Sequence, residues 1–197
     1  YMAWRQNDVF DAMALYDFGA LAMNVGSSDP PQTVKGLRVS ADYFKVFGVS
    51  PVTGRTFSQE EDLPNGPAVA VISYNVWQAR FGGSNEVVGR PLLLNGVSYT
   101  VVGILSKGFQ PDPEAHFWTP LQANPNSTNH GHYLNVAGRL KPGVTVASAQ
   151  AQMKVVGERF RKANPKWMDA EESVAVVSMR DATTGEVKTA LLVLFGA

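Results

Sequence analysis

Three histidines are the residues of this 197-residue sequence that come closest to a metal site. His130 and His132 stand two positions apart in the run NHGHY, and His116 precedes them in the same stretch rich in Pro, Asn and Gly. Alternate residues of a strand share one face, so His130 and His132 could bind nickel or zinc weakly. A zinc site takes three or four ligands, and the sequence has no cysteine and no HExxH motif. We therefore predict no physiological metal site, and weak binding by the three histidines stays open.

The serines and glycines lack the spacing that nucleophilic catalysis or phosphate binding requires. Ser40 and Ser73 have no histidine in their sequence context, and no GxSxG motif occurs. The glycines of RFGGSNEVVG, residues 80–89, follow neither the GxGxxG nor the GxxxxGK pattern, so they indicate turns. We predict no catalytic residue, no cofactor, no ATP hydrolysis by this chain and no enzyme activity.

The acidic run of Glu60, Glu61 and Asp62 could supply paired carboxylates for acid–base chemistry. The spacing from Ser58 to Glu61 also fits a capping box, in which the two side chains bind each other's backbone N–H groups. A capping box with solvated neighbours explains the run without chemistry, and we favour it. Asp112 and Glu114 lie in a proline-rich loop, where charged residues are expected.

An aromatic group lies in the long segment from residue 106 to 131, which is rich in Pro, Asn, Gly and His. Phe109, Phe117 and Trp118 could line a groove for a small molecule or a glycan. A small satellite core beneath a long loop is the interpretation that we favour. The groove would make the chain a stand-alone secreted ligand-binding module, which is the alternative function that the residues allow. We predict an edge strand around Phe117 and Trp118.

Composition describes a folded domain without a strong electrostatic field. Hydrophobic residues make up 45% of the chain and charged residues 17%, as in ordinary globular cores. Lys plus Arg and Asp plus Glu number 17 each, so we predict no nucleic-acid partner. The absence of cysteine excludes disulfides and leaves the compartment open.

The clearest structural pattern lies between Phe81 and Leu105. Asn95-Gly96 separates two apolar runs, which predicts a hairpin with a type I′ turn. This register sets Leu94 opposite Val97 and pairs residue 92 with residue 99. Upstream, Ser73 is predicted to cap a short helix that carries Trp77 and ends at Gly82-Gly83.

Other elements follow from periodicity and from cap residues. A first helix is predicted after Asn7 or Asp8, because Phe10, Met13 and Ala14 fall at helical spacing. A longer helix from Val146 to Ala163 has an apolar stripe, with Thr145 as its N-cap and Asn164-Pro165 as its stop. The remaining predicted strands are residues 21–25, 34–41, 68–72, 133–140 and 174–177. A short helical turn is predicted at 43–47, and the connector with Gly48, Pro51 and Gly54 is predicted to be irregular.

These elements predict an α+β fold. The strand, helix and strand between residues 133 and 179 form a βαβ pattern, while the middle of the chain is mostly β. We therefore predict a sheet-and-helix subdomain from residues 1–44 and 132–187, with an inserted β-rich subdomain at 45–131. The mostly apolar residues 188–197 are too few to cross a bilayer, which takes about 20 residues, so they could be the end of a core strand or helix or the start of a truncated transmembrane helix.

Several segments follow one another in a characteristic order: AVAVIS, a Trp-bearing helix ending in RFGG, VVGRPLLLNG and YTVVGIL. In this order they resemble the extracytoplasmic core domain of MacB/FtsX-type ABC transporter permeases. FKVFGVSPVTGRTF at residues 44–57, EED at 60–62 and NVAGRLKPGVT at 135–145 fit the same family in the same order. No single motif is specific, whereas the ordered set is, and it covers nearly the whole chain.

The resemblance implies a domain on the extracytoplasmic, periplasmic side of the bacterial cytoplasmic membrane, in a protein anchored there. It implies three partners: an ABC ATPase domain or subunit, a second permease copy, and a periplasmic protein or lipoprotein. ATP hydrolysis on the other side of the membrane would move the membrane helices. The resemblance favours residues 188–197 as the start of a truncated transmembrane helix, and it implies that the sheet-and-helix subdomain continues into a stalk in the membrane. Residues 4–10 and 186–197, at the ends of this subdomain, would pass the motion to a substrate or a partner.

Overall fold

The protein is described here by a computed structural model that covers residues 4–5, 7–26, 32–127, 133–166, 168 and 173–182. These residues form nine strands and three α-helices. The strands are β1 (Phe10–Asp17), β2 (Leu21–Val25), β3 (Gln32–Val39), β4 (Pro51–Gly54), β5 (Val69–Ile72), β6 (Pro91–Leu94), β7 (Val97–Leu105), β8 (Phe117–Pro120) and β9 (Leu134–Leu140). The helices are α1 (Tyr43–Phe47), α2 (Tyr74–Phe81) and α3 (Val146–Ala163). The α+β fold class is confirmed.

The nine strands belong to one sheet, and part of this sheet closes on itself. The strand order is β2-β6-β7-β5-β8-β3-β1-β9, and β2 also pairs with β3. The six strands from β2 to β3 therefore form a closed ring, which we call the barrel. Each barrel strand contributes to one apolar cluster, the barrel cluster, in which β3 takes part through the half-buried Val34. Its largest fully buried side chains include Ile72, Leu94 and Phe117.

The predicted hairpin is confirmed in its turn type and its register. Asn95 and Gly96 have φ values of 49° and 79°, the positive values that a type I′ turn requires. Leu94 pairs with Val97 and Leu92 with Tyr99, as the turn chemistry predicts. The Ser73 cap is also confirmed, because its hydroxyl accepts a 3.2 Å hydrogen bond from the Val76 N–H.

Strand β8 lies in the interior of the sheet, so the prediction of an edge strand is wrong. It pairs with β3 on one side and with β5 on the other. Phe117 belongs to the barrel cluster, and its neighbour Trp118 faces a second cluster, because successive side chains of a strand point to opposite faces. We call this second group the aromatic cluster: Tyr16, Tyr43, Phe44, Phe47, Phe57, Phe109 and Trp118. The predicted satellite core is therefore part of the main core.

Two elements near the start of the chain differ from the sequence predictions. The predicted first helix is strand β1, in which every residue from Ala12 to Asp17 is buried. The Asn7 side chain accepts hydrogen bonds from the N–H groups of Val9 and Phe10, at 2.9 and 3.0 Å, and turns the chain into this strand. The predicted irregular connector contains β4, which pairs with β7. The residue types of neither segment signal a strand, and it is pairing with distant segments that makes both of them strands.

Helix α3 has the predicted bounds and the predicted caps. Thr145 and Ser148 form a reciprocal capping box, and Asn164 ends the helix. The buried face is narrower than the predicted stripe, because only Ala149, Met153 and Gly157 are buried among its residues. Val146, at the start of the stripe, is 39% exposed.

The segment from Val174 to Val177 is not the predicted strand. The Gln150 side chain of α3 binds it instead, donating to the Val174 carbonyl at 2.9 Å and accepting from the Val176 N–H at 2.5 Å. These side-chain bonds take the place of a strand ladder. A helical turn follows at residues 179–182, with the Ser178 hydroxyl accepting from the Asp181 N–H.

The chain divides into two compact units whose bounds differ from those predicted for the subdomains. Unit 1 contains residues 1–11 and 140–197, and unit 2 contains residues 12–139. Unit 2 contains β2 and β3 as well as all of residues 45–131, and the division into a sheet-and-helix subdomain and an insertion stays a prediction. That unit 1 continues into a membrane stalk stays a prediction. Among the described residues no helix is long and apolar enough to cross a membrane, and residues 188–197 lie outside them.

Candidate functional site

The acidic run takes part in a group of hydrogen-bonded residues that joins three segments of unit 2. We call this group the clasp: Ala41, Arg55, Ser58, Glu61, Asp62 and Gln122. Glu61 receives two 2.7 Å hydrogen bonds from the guanidinium of Arg55. The predicted reciprocal bonds between Ser58 and Glu61 are confirmed, at 2.8 and 3.3 Å, although the segment is a turn and not an α-helix. The Arg55 hydrogen bonds lower the pKa of Glu61, and burial opposes this shift only in part. Glu61 is thus held as a carboxylate.

The pKa of Asp62 is shifted in the opposite direction from that of Glu61. Its two oxygens accept 2.9 Å hydrogen bonds from the N–H groups of Ala41 and Gln122. Burial raises the pKa of Asp62, and the bonds from the backbone N–H groups counter part of this rise. Glu61 and Asp62 therefore each serve a different structural partner, and the structure does not bring them together as an acid–base pair.

Gln122 completes the clasp, and sequence reasoning did not identify it. Its side-chain amide donates to the carbonyl oxygens of Glu61 and Gly66, at 3.0 and 2.9 Å. Its backbone has a φ of 50°, which is uncommon for a residue other than glycine. No local pattern signals such a residue, because its partners lie more than fifty positions away in the sequence.

Only one of the three histidines lies within the described residues. The His116 ring nitrogen Nε2 is 3.7 Å from a carboxylate oxygen of Glu114, which also forms an ion pair with Lys35. Within the described part of the chain, no group of three His, Cys, Asp or Glu side chains is placed to hold a metal ion. His130 and His132 lie outside that part, so their weak metal binding stays a prediction.

The aromatic residues predicted to line a groove are packed into the core. Phe117 and Trp118 are completely buried, and Trp118 packs between Phe44 and Phe109 with ring centroids 6.3 and 5.9 Å apart. A cavity of about 20 Å³ borders Trp118 and Phe109, enough for one water molecule. This space is far smaller than the several hundred Å³ of a typical ligand pocket.

Two neighbouring polar atoms in this core are unusual. The Tyr43 hydroxyl and the Trp118 indole nitrogen are fully buried and lie close to each other, and neither makes a hydrogen bond of regular geometry with the described residues. Burial raises the pKa of Tyr43 far above its ordinary value, so the hydroxyl stays protonated.

The two serines considered as nucleophiles have structural partners. Ser73 caps α2, and the Ser40 hydroxyl accepts a 2.9 Å bond from the Leu15 N–H.

Comparison with curated proteins finds similarity to macrolide export ATP-binding/permease proteins. The chain is 30% identical over 119 residues to MacB of Escherichia coli strain K12, covering 58% of this chain and 18% of that protein. It is 25% identical over 139 residues to MacB 1 of Yersinia pestis bv. Antiqua, covering 68% and 21%. The chain thus spans about a fifth of the length of these relatives.

Solved structures show the same fold at low sequence identity. The extracellular domain of the ABC-type transporter YknZ from Gram-positive bacteria has a TM-score of 0.63 at 15% identity, covering 90% of this chain and 86% of that one. The periplasmic region of MacB from Actinobacillus actinomycetemcomitans has a TM-score of 0.58 at 18% identity, covering 82% and 71%. The sequence model of the family described as MacB-like periplasmic core domain matches residues 2–156. The chain therefore belongs to the MacB-like periplasmic core domain family.

Proposed function

We propose that this chain is the extracytoplasmic part of a MacB/FtsX-like ABC transporter permease and transmits ATP-driven motion to a substrate or a partner protein. The chemistry of ATP hydrolysis would belong to an ABC ATPase domain or subunit on the other side of the membrane. A second permease copy and a periplasmic protein or lipoprotein are the further partners that we propose. The family match supports the location, and the organisation of unit 1 supports the mechanical role.

The single observation that carries this proposal is that unit 1 is built from the two segments that flank unit 2 in the sequence. Within unit 1, the Lys141 N–H donates a 2.9 Å hydrogen bond to the Val9 carbonyl, which joins these two segments. A displacement applied to either segment is therefore shared by both. The chain passes between the units only at residues 11–12 and 139–140, within β1 and β9.

The internal contacts of unit 2 suit it to move as a rigid body. Closure of the barrel leaves no open edge among its six strands, and the clasp fixes the loop around Glu61 to distant residues. A closely packed interior transmits strain instead of absorbing it. Unit 2 is therefore suited to deliver a movement that it receives through two strands.

Hydrogen–deuterium exchange on the full-length transporter, with and without ATP, tests the proposal. We expect ATP to change the protection of backbone amides at residues 9–12 and 139–141, where the chain passes between the units. A transporter with an inactive ATPase site is the control, and it should show no change. Changes confined to the membrane and ATPase parts would contradict the proposal.

A further inference from the structure

We propose that Asn95 is a site of spontaneous deamidation, and that conversion to isoaspartate opens the seam that closes the barrel. The seam is the pairing of β2 with β6, which has a single register pair, Val25 with Leu94. Three more hydrogen bonds flank this pair. The Gly26 N–H donates to the Leu93 carbonyl at 2.9 Å, and the other two involve Asn95.

Asn95 contributes both its backbone and its side chain to the seam. Its N–H donates to the Asn24 carbonyl at 2.9 Å, and its side-chain oxygen Oδ1 accepts from the Asn24 N–H at 2.8 Å. The residue at the hairpin turn therefore also fastens the hairpin to β2. Any change in the covalent geometry of residue 95 acts directly on the closure.

The reaction needs only water and the two residues of the turn. The backbone nitrogen of Gly96 attacks the side-chain carbonyl carbon of Asn95, a C–N bond forms, and Nδ2 leaves as ammonia. Water then adds to one of the two carbonyl groups of the resulting succinimide, giving either aspartate or isoaspartate. Glycine favours the attack because it has no Cβ to hinder its nitrogen. Both residues are exposed, and a Cβ added at Gly96 would meet nothing within 4 Å.

A second Asn–Gly pair in the same chain, Asn65-Gly66, provides an internal control. The Gly66 N–H already donates to the Leu63 carbonyl at 2.9 Å, so its nitrogen is engaged. The space around Gly66 is also crowded, because an added Cβ would lie 2.6 Å from the Glu61 carbonyl oxygen. The two Asn–Gly pairs thus have the same chemistry in different surroundings, and the structure favours reaction at Asn95.

The two products have different effects on the seam. Aspartate keeps a carboxylate oxygen that can accept from the Asn24 N–H, and Asp tolerates the positive φ of residue 95. Isoaspartate inserts the side-chain carbon into the backbone, so the N–H and the side-chain oxygen can no longer meet Asn24 together. We therefore expect the isoaspartate form to lose the seam and the aspartate form to keep it.

Peptide mass spectrometry of the intact chain, incubated at mildly alkaline pH, tests the site. In the folded chain, conversion at Asn95 is expected to be about two- to tenfold faster than at Asn65. Reaction at Asn65 must first break the hydrogen bond of the attacking Gly66 nitrogen, whereas the bond from Asn24 to Asn95 is made to the side-chain oxygen and leaves the attacking nitrogen unaffected. In urea both pairs should react at similar rates. Equal rates in the folded chain, or faster reaction at Asn65, would overturn the assignment.

Hydrogen exchange on the separated products tests the consequence. The isoaspartate form should exchange the amides of Asn24 and Gly26 faster than the unreacted chain, while the Asn95→Asp variant should retain their protection. Unchanged protection in the isoaspartate form would refute the role of residue 95 in the seam. Equal loss in the Asn95→Asp variant would refute the claim that isoaspartate, and not aspartate, opens it.

Discussion

Replacing Gly103 by alanine should separate strand β4 from β7. The two strands are paired antiparallel, and Gly54 of β4 lies opposite Gly103 of β7. A Cβ at residue 103 would lie 2.1 Å from the carbonyl oxygen of Arg55, and at residue 54 it would lie 2.2 Å from that of Val102. Both neighbours are backbone atoms, so no side-chain rotation can relieve the clash. The motifs GRTF and VVGIL therefore contain glycine because two backbones meet there.

The cost of Gly103→Ala follows from the displacement that it forces. The Arg55 carbonyl must retreat by about 1 Å to restore ordinary contact distance. This movement strains the 2.9 Å hydrogen bond from the Arg55 N–H to the Val102 carbonyl. Overpacking costs about 1–3 kcal/mol, and a lost hydrogen bond adds about 1 kcal/mol. We expect a loss of about 2–4 kcal/mol, which lowers the melting temperature by about 5–15 °C.

Urea and thermal unfolding of the 197-residue chain measure this loss, with Gly19→Ala as the matched control. Gly19 has no atom within 4 Å of an added Cβ and its φ is not positive, so its variant should stay within about 0.5 kcal/mol of the parent. A Gly103→Ala variant as stable as Gly19→Ala would refute the close approach of β4 and β7.

Three further predictions concern α3 and the clasp. Met153→Ala should lower the free energy of unfolding by about 2–5 kcal/mol, because Met153 is only 2% exposed. The exposed Val155 should tolerate alanine and serves as the control. Urea titration of the two variants compares their free energies of unfolding. Gln122→Ala should cost about 1–3 kcal/mol by leaving the Glu61 and Gly66 carbonyls unpaired, and an unchanged unfolding midpoint would contradict this. Because the pKa of Glu61 is lowered in the folded chain, the stability that its carboxylate provides is present above its ordinary pKa and is lost as pH falls through the lowered value. In Glu61→Gln, the free energy of unfolding should therefore fall less steeply with decreasing pH in this acidic range.

Elements whose signals are local could be predicted from the sequence. The type I′ turn at Asn95-Gly96 fixes the hairpin register, because both central residues must have positive φ. The bounds of α3 follow from its caps, Thr145 and Asn164, since each binds backbone groups of its own helix end. These interactions span only a few residues, and tertiary structure does not have to supply a partner.

Elements that depend on distant partners could not be predicted in this way. Strand β1 contains apolar residues at helical spacing, but burial on both faces makes it a strand of the sheet. Strand β8 follows a proline-rich loop, and only its pairing with β3 and β5 reveals its central position. The segment from Val174 to Val177 has strand-like composition, yet Gln150 binds its backbone instead.

The clasp could be predicted only in its local half. The spacing of Ser58 and Glu61 indicates their reciprocal bonds, because both residues belong to one turn. Arg55 and Gln122 gave no such signal as partners of Glu61. Asp17 is a further example, since its buried carboxylate binds the Arg38 guanidinium and backbone N–H from 21 positions away.

Distance measurement by electron spin resonance on the full-length transporter tests the central claim most directly. The domain contains no cysteine, so a spin label can be placed at the exposed residue 98 of unit 2 by a Ser98→Cys substitution. A second label belongs at the extracytoplasmic end of a membrane helix. We predict that the distance distribution shifts when ATP is added and returns after hydrolysis. A distribution that is identical with and without ATP, in a transporter that hydrolyses it, would contradict the transmission of motion through this domain.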